Sequence, residues 1–210
     1  MKKYILFDND GVLVETEIWY YEANKRVFKE CFNLPLTIES YMPLMAKGIT
    51  CWTLAKKAGF NQRAVNEART LRNIYYQEFI QKEDLLIPGA KEVIEALSQK
   101  YKMAIITTSR RSDFELIHHK KEITQYMDFI LCEKEYDRVK PHPAPYLKAL
   151  ELFAAHPDES IVVEDSERGL TSAIRAGVEC IIVKNEFTKS HDFSGATYKI
   201  NSLSQLETFL

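Results

Sequence analysis

Asp8 and Asp10 stand two residues apart where the apolar run Tyr4-Ile5-Leu6-Phe7 ends, and Gly11 follows them. Side chains at i and i+2 of an extended chain face the same side, so both carboxylates point together into the space beyond the strand. Gly11 permits the tight turn that must come next. Asp, Asn and Gly are also ordinary turn residues, and a plain strand-terminating turn would use the same residues. Paired carboxylates can divide a reaction, one attacking an electrophile while the other moves a proton. A phosphate ester suits such a pair, but anion meeting anion needs compensating positive charge, so a metal site and a lysine are expected elsewhere in the chain.

Both requirements are met at other strand ends. Ile161-Val162-Val163 runs into Glu164-Asp165-Ser166, acids that with Asp8 could hold Mg2+ through oxygen ligands. Mg2+ commonly keeps one or two carboxylates plus water and phosphate, which puts Glu164 either on the ion or just behind it. Asp165-Ser166 can at the same time cap a helix through Leu170 and Ala173. Lys140 lies in Val139-Lys140-Pro141-His142-Pro143, where two prolines fix a rigid lead into the next helix. Met103-Ala104-Ile105-Ile106 ends in Thr107-Thr108-Ser109-Arg110-Arg111, hydroxyls and cations beside a helix start that favours anions. Ser112 and Glu115 predict a capping box there. Thr107, one step past the apolar run, is the favoured phosphate ligand, and Thr108, Ser109 and Arg110 are candidate substrate contacts.

The elements that must hold these groups are legible as short apolar runs at Tyr4–Phe7, Met103–Ile106, Phe129–Cys132, Ile161–Val163 and Cys180–Val183, each the length of a buried strand. Helical stripes lie between them: Ala90, Val93, Ile94 and Leu97; Tyr146, Leu147, Leu150 and Phe153; Leu170, Ala173 and Ile174, the last closed by Gly177. Strands alternating with helices over residues 84 to 200 predict an α/β fold, a Rossmann-like parallel sheet flanked by helices, with the site at the carboxyl ends of the strands. Residues 15–83 lack a convincing strand and read as amphipathic helices, around Tyr20–Cys31 and Ala64–Ile80 among others. The expected organisation is therefore an α/β core at 1–14 and 84–210, with a small inserted helical cap domain at 15–83.

The 210 residues carry a formal charge of −2, no broad cationic field for nucleic acid or anionic lipid. Asp8 interrupts the apolar start before a signal-peptide or membrane-spanning run could form, so a cytoplasmic protein is expected. Cys31, Cys51, Cys132 and Cys180 are far apart and read as buried thiols. The pair His118-His119 reads as a solvated helix face. Trp19, Tyr20, Tyr21 and Trp52 read as helix core or as cleft lining. The chain is read as a monomer that takes a small-molecule phosphate ester, with no nucleic acid and no membrane.

Asp8-x-Asp10-Gly11-Val12, Thr107, Lys140-Pro141 and Glu164-Asp165, in that order, resemble the motifs of the haloacid dehalogenase (HAD) superfamily. The helical insertion after the first motif is similar to the cap of the subgroup containing beta-phosphoglucomutase and phosphoglycolate phosphatase. The resemblance implies that Asp8 is a nucleophile forming an aspartyl-phosphate and that Asp10 is the general acid, later activating water. Thr107 and Lys140 would hold the transferring phosphoryl group. Asp165, Asp8 and the backbone carbonyl of Asp10 would bind Mg2+, with Glu164 close by. Dehalogenases generally lack the second aspartate, so Asp10 points to phosphoryl transfer. Tyr20 stands where mutases carry a hinge histidine. In Lys47-Gly48-Ile49-Thr50-Cys51-Trp52, similar to their specificity loop, Cys51 stands where they carry a phosphate-holding arginine. Tyr20, Thr50 and Arg72 are the cap residues expected to contact substrate, with Arg69, Arg72 or Arg110 able to replace that arginine. The implied function is a Mg2+-dependent hydrolase, a phosphatase of sugar phosphates or similar metabolites. The alternatives are a sugar phosphomutase and a non-catalytic phosphate-binding protein.

Overall fold

Strand β1 (Tyr4–Phe7) alternates its side chains between two apolar layers, which is why its sequence is continuously hydrophobic. The computed structural model describes residues 1–46, 48–120 and 122–210. Contacts divide the chain into two compact units, Met1–Glu15 with Leu85–Leu210, and Thr16–Asp84.

The second unit is helical: α1 (Glu17–Phe32), α2 (Ile38–Ala46), α3 (Trp52–Lys57) and α4 (Gln62–Ile80). Its own core gathers Tyr21, Val27, Phe28, Phe32, Trp52 and Ala55, so the aromatics read as core or cleft are in part core. Phe28 lies 5.5 Å from both Phe32 and Trp52, ring centre to ring centre. Asn61 caps α4, its side chain accepting from the Ala64 amide.

The first unit continues with α5 (Ala90–Ser98), β2 (Lys102–Ile106), α6 (Arg111–Ile117), β3 (Phe129–Leu131), α7 (Ala144–Phe153), β4 (Ser160–Glu164), α8 (Glu167–Arg175), β5 (Glu179–Val183) and β6 (Tyr198–Ile200). The six strands form one parallel sheet in the order β3-β2-β1-β4-β5-β6. Ile5, Phe7, Met103, Ile105, Ile161 and Val163 pack on one face with Val93, Ile94 and Leu97 of α5. Leu6, Ala104, Ile106, Val162 and Ile182 pack on the other with Tyr146 and Leu150 of α7 and Leu170 and Ala173 of α8.

Register decides where the chemistry can be. Phe7 pairs with Ile105 of β2 and Val163 of β4, so Asp8, Thr107 and Glu164 emerge at one edge of the sheet. The first two strands in chain order thus lie beside each other despite 94 intervening residues, Asn9 donating no slack: its carbonyl accepts from the amides of Leu13 and Val14 and closes the turn at once.

Three expectations change, at Ser112, His118 and Cys31. The capping box at Ser112 and Glu115 does not form: α6 starts at Arg111, Arg110 is its N-cap residue, and Ser112 falls inside the first turn. His118 is not on a solvated face. It is 7% exposed, because it stands four residues after the buried Phe114, keeps the helical bond from its amide to the Phe114 carbonyl and so shares that buried face, whereas His119 is exposed. Among the cysteines, Cys51, Cys132 and Cys180 are buried and Cys31 is exposed. No helix among the described residues is long and apolar enough to cross a membrane.

Candidate active site

A buried ammonium between two carboxylates forms the floor of the site. Lys140 Nζ donates to Asp8 Oδ1 (2.8 Å), to Glu164 Oε1 (2.7 Å) and to the Ile106 carbonyl (2.8 Å), which uses all three of its protons. Lys140 comes from the segment leading into α7, where Lys140–Pro141 is a cis peptide. Burial pushes Asp8 up to about 7; the Glu164 charge adds to the rise and Lys140 opposes it. Burial would raise Glu164 too, but the Lys140 charge and the hydrogen bonds from Lys140, Tyr146 and Ser166 outweigh it and hold Glu164 below its ordinary value. For Lys140 burial favours the neutral form, and the two carboxylates overcome it, so the ammonium persists.

Glu164 is fully buried and saturated with donors. Lys140 and the Tyr146 hydroxyl bind Oε1; the amides of Asp165 and Ser166 and the Ser166 hydroxyl bind Oε2. It packs against Gly169 in the first turn of α8 so closely that a Cβ there would overlap its carboxyl.

Three donors converge on one oxygen of Asp10. Ser109 Oγ (2.7 Å), Thr107 Oγ1 (3.1 Å) and Asn9 Nδ2 (3.4 Å) all donate to Asp10 Oδ2. The Thr107 carbonyl accepts in turn from the Tyr136 hydroxyl at 2.7 Å, which anchors the end of β2. Ser109, expected among the substrate contacts, is thus bound to Asp10, and Thr108 lies half-buried beside it.

Asp165 follows β4 and is turned by Asn185, whose Nδ2 donates to Asp165 Oδ2 (2.8 Å) and to the Gly11 carbonyl (3.3 Å). Gly11 has φ +77°, and a side chain there would strike the Asp165 carboxyl. Asp8, Glu164 and Asp165 each bring a carboxylate oxygen to within 4.8 Å of the others. Such a hard, oxygen-only set fits Mg2+, and since the donors already satisfy Glu164, Asp8 and Asp165 are the pair fitted to touch an ion.

Arg110 forms a bidentate pair with Asp113 (2.8 and 2.9 Å), and Arg111 pairs with Glu135 at 2.6 Å. Within the helical unit, the Arg72 guanidinium lies 4.1 Å from the Tyr20 ring centre, and its buried Nη1 has no hydrogen-bond partner among the described residues. Thr50 is exposed in the turn before α3, its carbonyl accepting from the Thr53 hydroxyl. Cys51 is buried, its thiol 3.5 Å from Asn24 Oδ1 and pushed up by burial to about 11. Lys47, which opens the loop stretch singled out in the sequence, lies outside the described residues.

The model of the family described as haloacid dehalogenase-like hydrolase matches residues 5–183. The chain belongs to that family. Among HAD-like relatives, protein CbbY of Rhodobacter capsulatus is 28% identical over 221 residues, 98% of this chain and 96% of that one. The phosphorylated carbohydrates phosphatase of Thermotoga maritima is 29% identical over 188 residues, 84% and 82% of the two chains. The fold matches the crystal structure of CbbY from Rhodobacter sphaeroides in complex with phosphate, TM-score 0.82 at 24% identity, over 98% of this chain and 96% of that one. In this HAD-like chain the supporting residues Tyr136, Tyr146 and Asn185 carry no signal in the sequence. Tyr146 reads there only as one member of an apolar helix stripe, and Asn185 lies 20 residues from the acid it orients.

Proposed function

We propose that this hydrolase is a Mg2+-dependent phosphatase of small phosphate monoesters, working through an aspartyl-phosphate on Asp8. The observation that carries the reading is the Asp8–Lys140–Glu164 arrangement: a nucleophilic carboxylate whose negative charge is countered by a buried ammonium that a second, saturated carboxylate holds in place. Lys140 takes Asp8 Oδ1, which makes Oδ2 the attacking atom. That oxygen bonds to phosphorus as the bond to the leaving oxygen breaks, and Asp10 gives the leaving oxygen its proton. Asp10 then takes a proton from the water that attacks phosphorus, releasing phosphate and restoring Asp8. Asp8, Asp165 and the Asp10 carbonyl oxygen would hold Mg2+, which when bound supplies positive charge against the phosphoryl oxygens. Thr107 is proposed as a phosphoryl ligand at the end of β2, with its neighbours Thr108, Ser109 and Arg110 beside it. Most of the acceleration is assigned to charge positioned in advance.

The names of the relatives support this class of substrate: one is a phosphatase of phosphorylated carbohydrates, and a CbbY structure holds xylulose-(1,5)bisphosphate. We assign residues 15–83 as a cap domain, with Tyr20, Thr50 and Arg72 contacting substrate; Arg72 Nη1, which finds no hydrogen-bond partner among the described residues, suits a remote anionic group. The test is phosphate release from a panel of sugar phosphates, sugar bisphosphates and phosphoglycolate, with and without Mg2+. Release that needs Mg2+ and ends with Asp8→Asn is the expected result. Isomer formation without net phosphate would replace the reading with a mutase.

A further inference from the structure

Beneath Asp10 lies a buried polar pair that phosphoryl transfer as described leaves without a task. Asn9, between the two acids, is 0% exposed, and His118 at the end of α6 is buried with it. His118 Nε2 is 2.7 Å from Asn9 Oδ1, and Asn9 Nδ2 is 3.4 Å from Asp10 Oδ2. Asp10 sets the direction of this chain. Were the amide reversed, its oxygen would face the carboxylate, so Nδ2 faces Asp10 and Oδ1 accepts from His118. His118 must then carry its proton on Nε2, and the Phe114 ring, 4.4 Å away, packs against the imidazole. Desolvation pushes His118 down to about 4, so the ring is neutral at pH 7 and one tautomer satisfies the bond. Two apolar side chains would fill this space without the desolvation penalty that a buried amide and imidazole bring.

We infer that Asn9 and His118 are positioning residues for Asp10: His118 fixes the Asn9 amide, and Asn9, with Thr107 and Ser109, fixes the carboxyl in the orientation that serves proton transfer to the leaving oxygen. The inference rests on Asp10 being the general acid. An alkoxide leaving group needs that proton, whereas 4-nitrophenolate departs without it, so the two substrate types separate positioning of Asp10 from general damage.

The experiment compares kcat/KM for glycerol phosphate and 4-nitrophenyl phosphate in Asn9→Leu, His118→Phe and His118→Gln. For the first two variants the alkyl ester is expected to lose about tenfold relative to the aryl ester. His118→Gln, which keeps an N–H within reach of Asn9 Oδ1, is expected to restore most of that ratio. Because both substrates are read on one preparation, the ratio does not depend on how much of a variant folds. Equal losses on both substrates, or a ratio unchanged from the parent, would overturn the inference. Asp10→Asn is run alongside. An alkyl-selective loss in that variant keeps Asp10 as the acid whatever the pair does, and its absence would remove Asp10 from that role.

Discussion

Each carboxylate in this site has specified hydrogen-bond donors. Lys140 is shared by Asp8 and Glu164, Asp10 draws its donors from Asn9, Thr107 and Ser109, and Asp165 takes its orientation from Asn185. His118 has a consequence for stability that can be read outside catalysis. Its folded value of about 4 lies below the ordinary 6.5, so in that window the unfolded chain binds a proton that the folded chain refuses. Above pH 6.5 both states are neutral at this residue and nothing is lost; as pH falls toward 4 the folded state is progressively penalised. Between pH 7 and pH 5 the contribution is about 2 kcal/mol. Urea unfolding of the parent and of His118→Gln at the two pH values checks this. The variant should lose less stability on acidification, and equal losses would contradict the assignment.

At the scale of elements, the site is a set of strand ends brought level by register, with α8 pressed against one of them. Gly169 shows how close that approach is. In an exposed helix Ala would be the better residue than Gly by about 1 kcal/mol, but here a methyl group would overlap the Glu164 carboxyl. Gly169→Ala should therefore destabilise, by about 1–3 kcal/mol, and displace Glu164 from Lys140; a thermal melt beside an activity assay reads both effects. A variant as stable and active as the parent would show that α8 can yield. Strand ends are the part of such a site that sequence exposes best. Asp8, Thr107 and Glu164 each stand one residue beyond or at the close of an apolar run, and pairing of neighbouring runs is enough to bring them to one edge. What supports them was hidden, because Tyr136, Tyr146 and Asn185 act across 18 to 29 residues through contacts that no periodicity records. β6 was equally hidden, with only Ile200 of its three residues buried. His118 reads as solvent-facing because the pair His118-His119 is polar, whereas its spacing of four from Phe114 puts it on the buried face.

For the whole molecule, the carboxylates proposed to hold Mg2+ all belong to the sheet unit, and the helical unit lies between β1 and α5 in the chain. Binding to the folded state only, at ten times its Kd, adds about 1.4 kcal/mol, and in a chain of this size raises Tm by about 3–6 °C. Asp165→Asn should abolish that rise; an undiminished rise would place the ion elsewhere. In the proposed reaction Asp8 itself accepts the phosphoryl group. That step is tested most directly by mixing the Asp10→Asn variant with 4-nitrophenyl phosphate and Mg2+, then quenching with borohydride, which reduces an aspartyl-phosphate to homoserine. Homoserine is expected at position 8 in the recovered peptide, accumulating because hydrolysis is slowed. Nitrophenol release with an unmodified Asp8, or with the modification at another carboxylate, would contradict it.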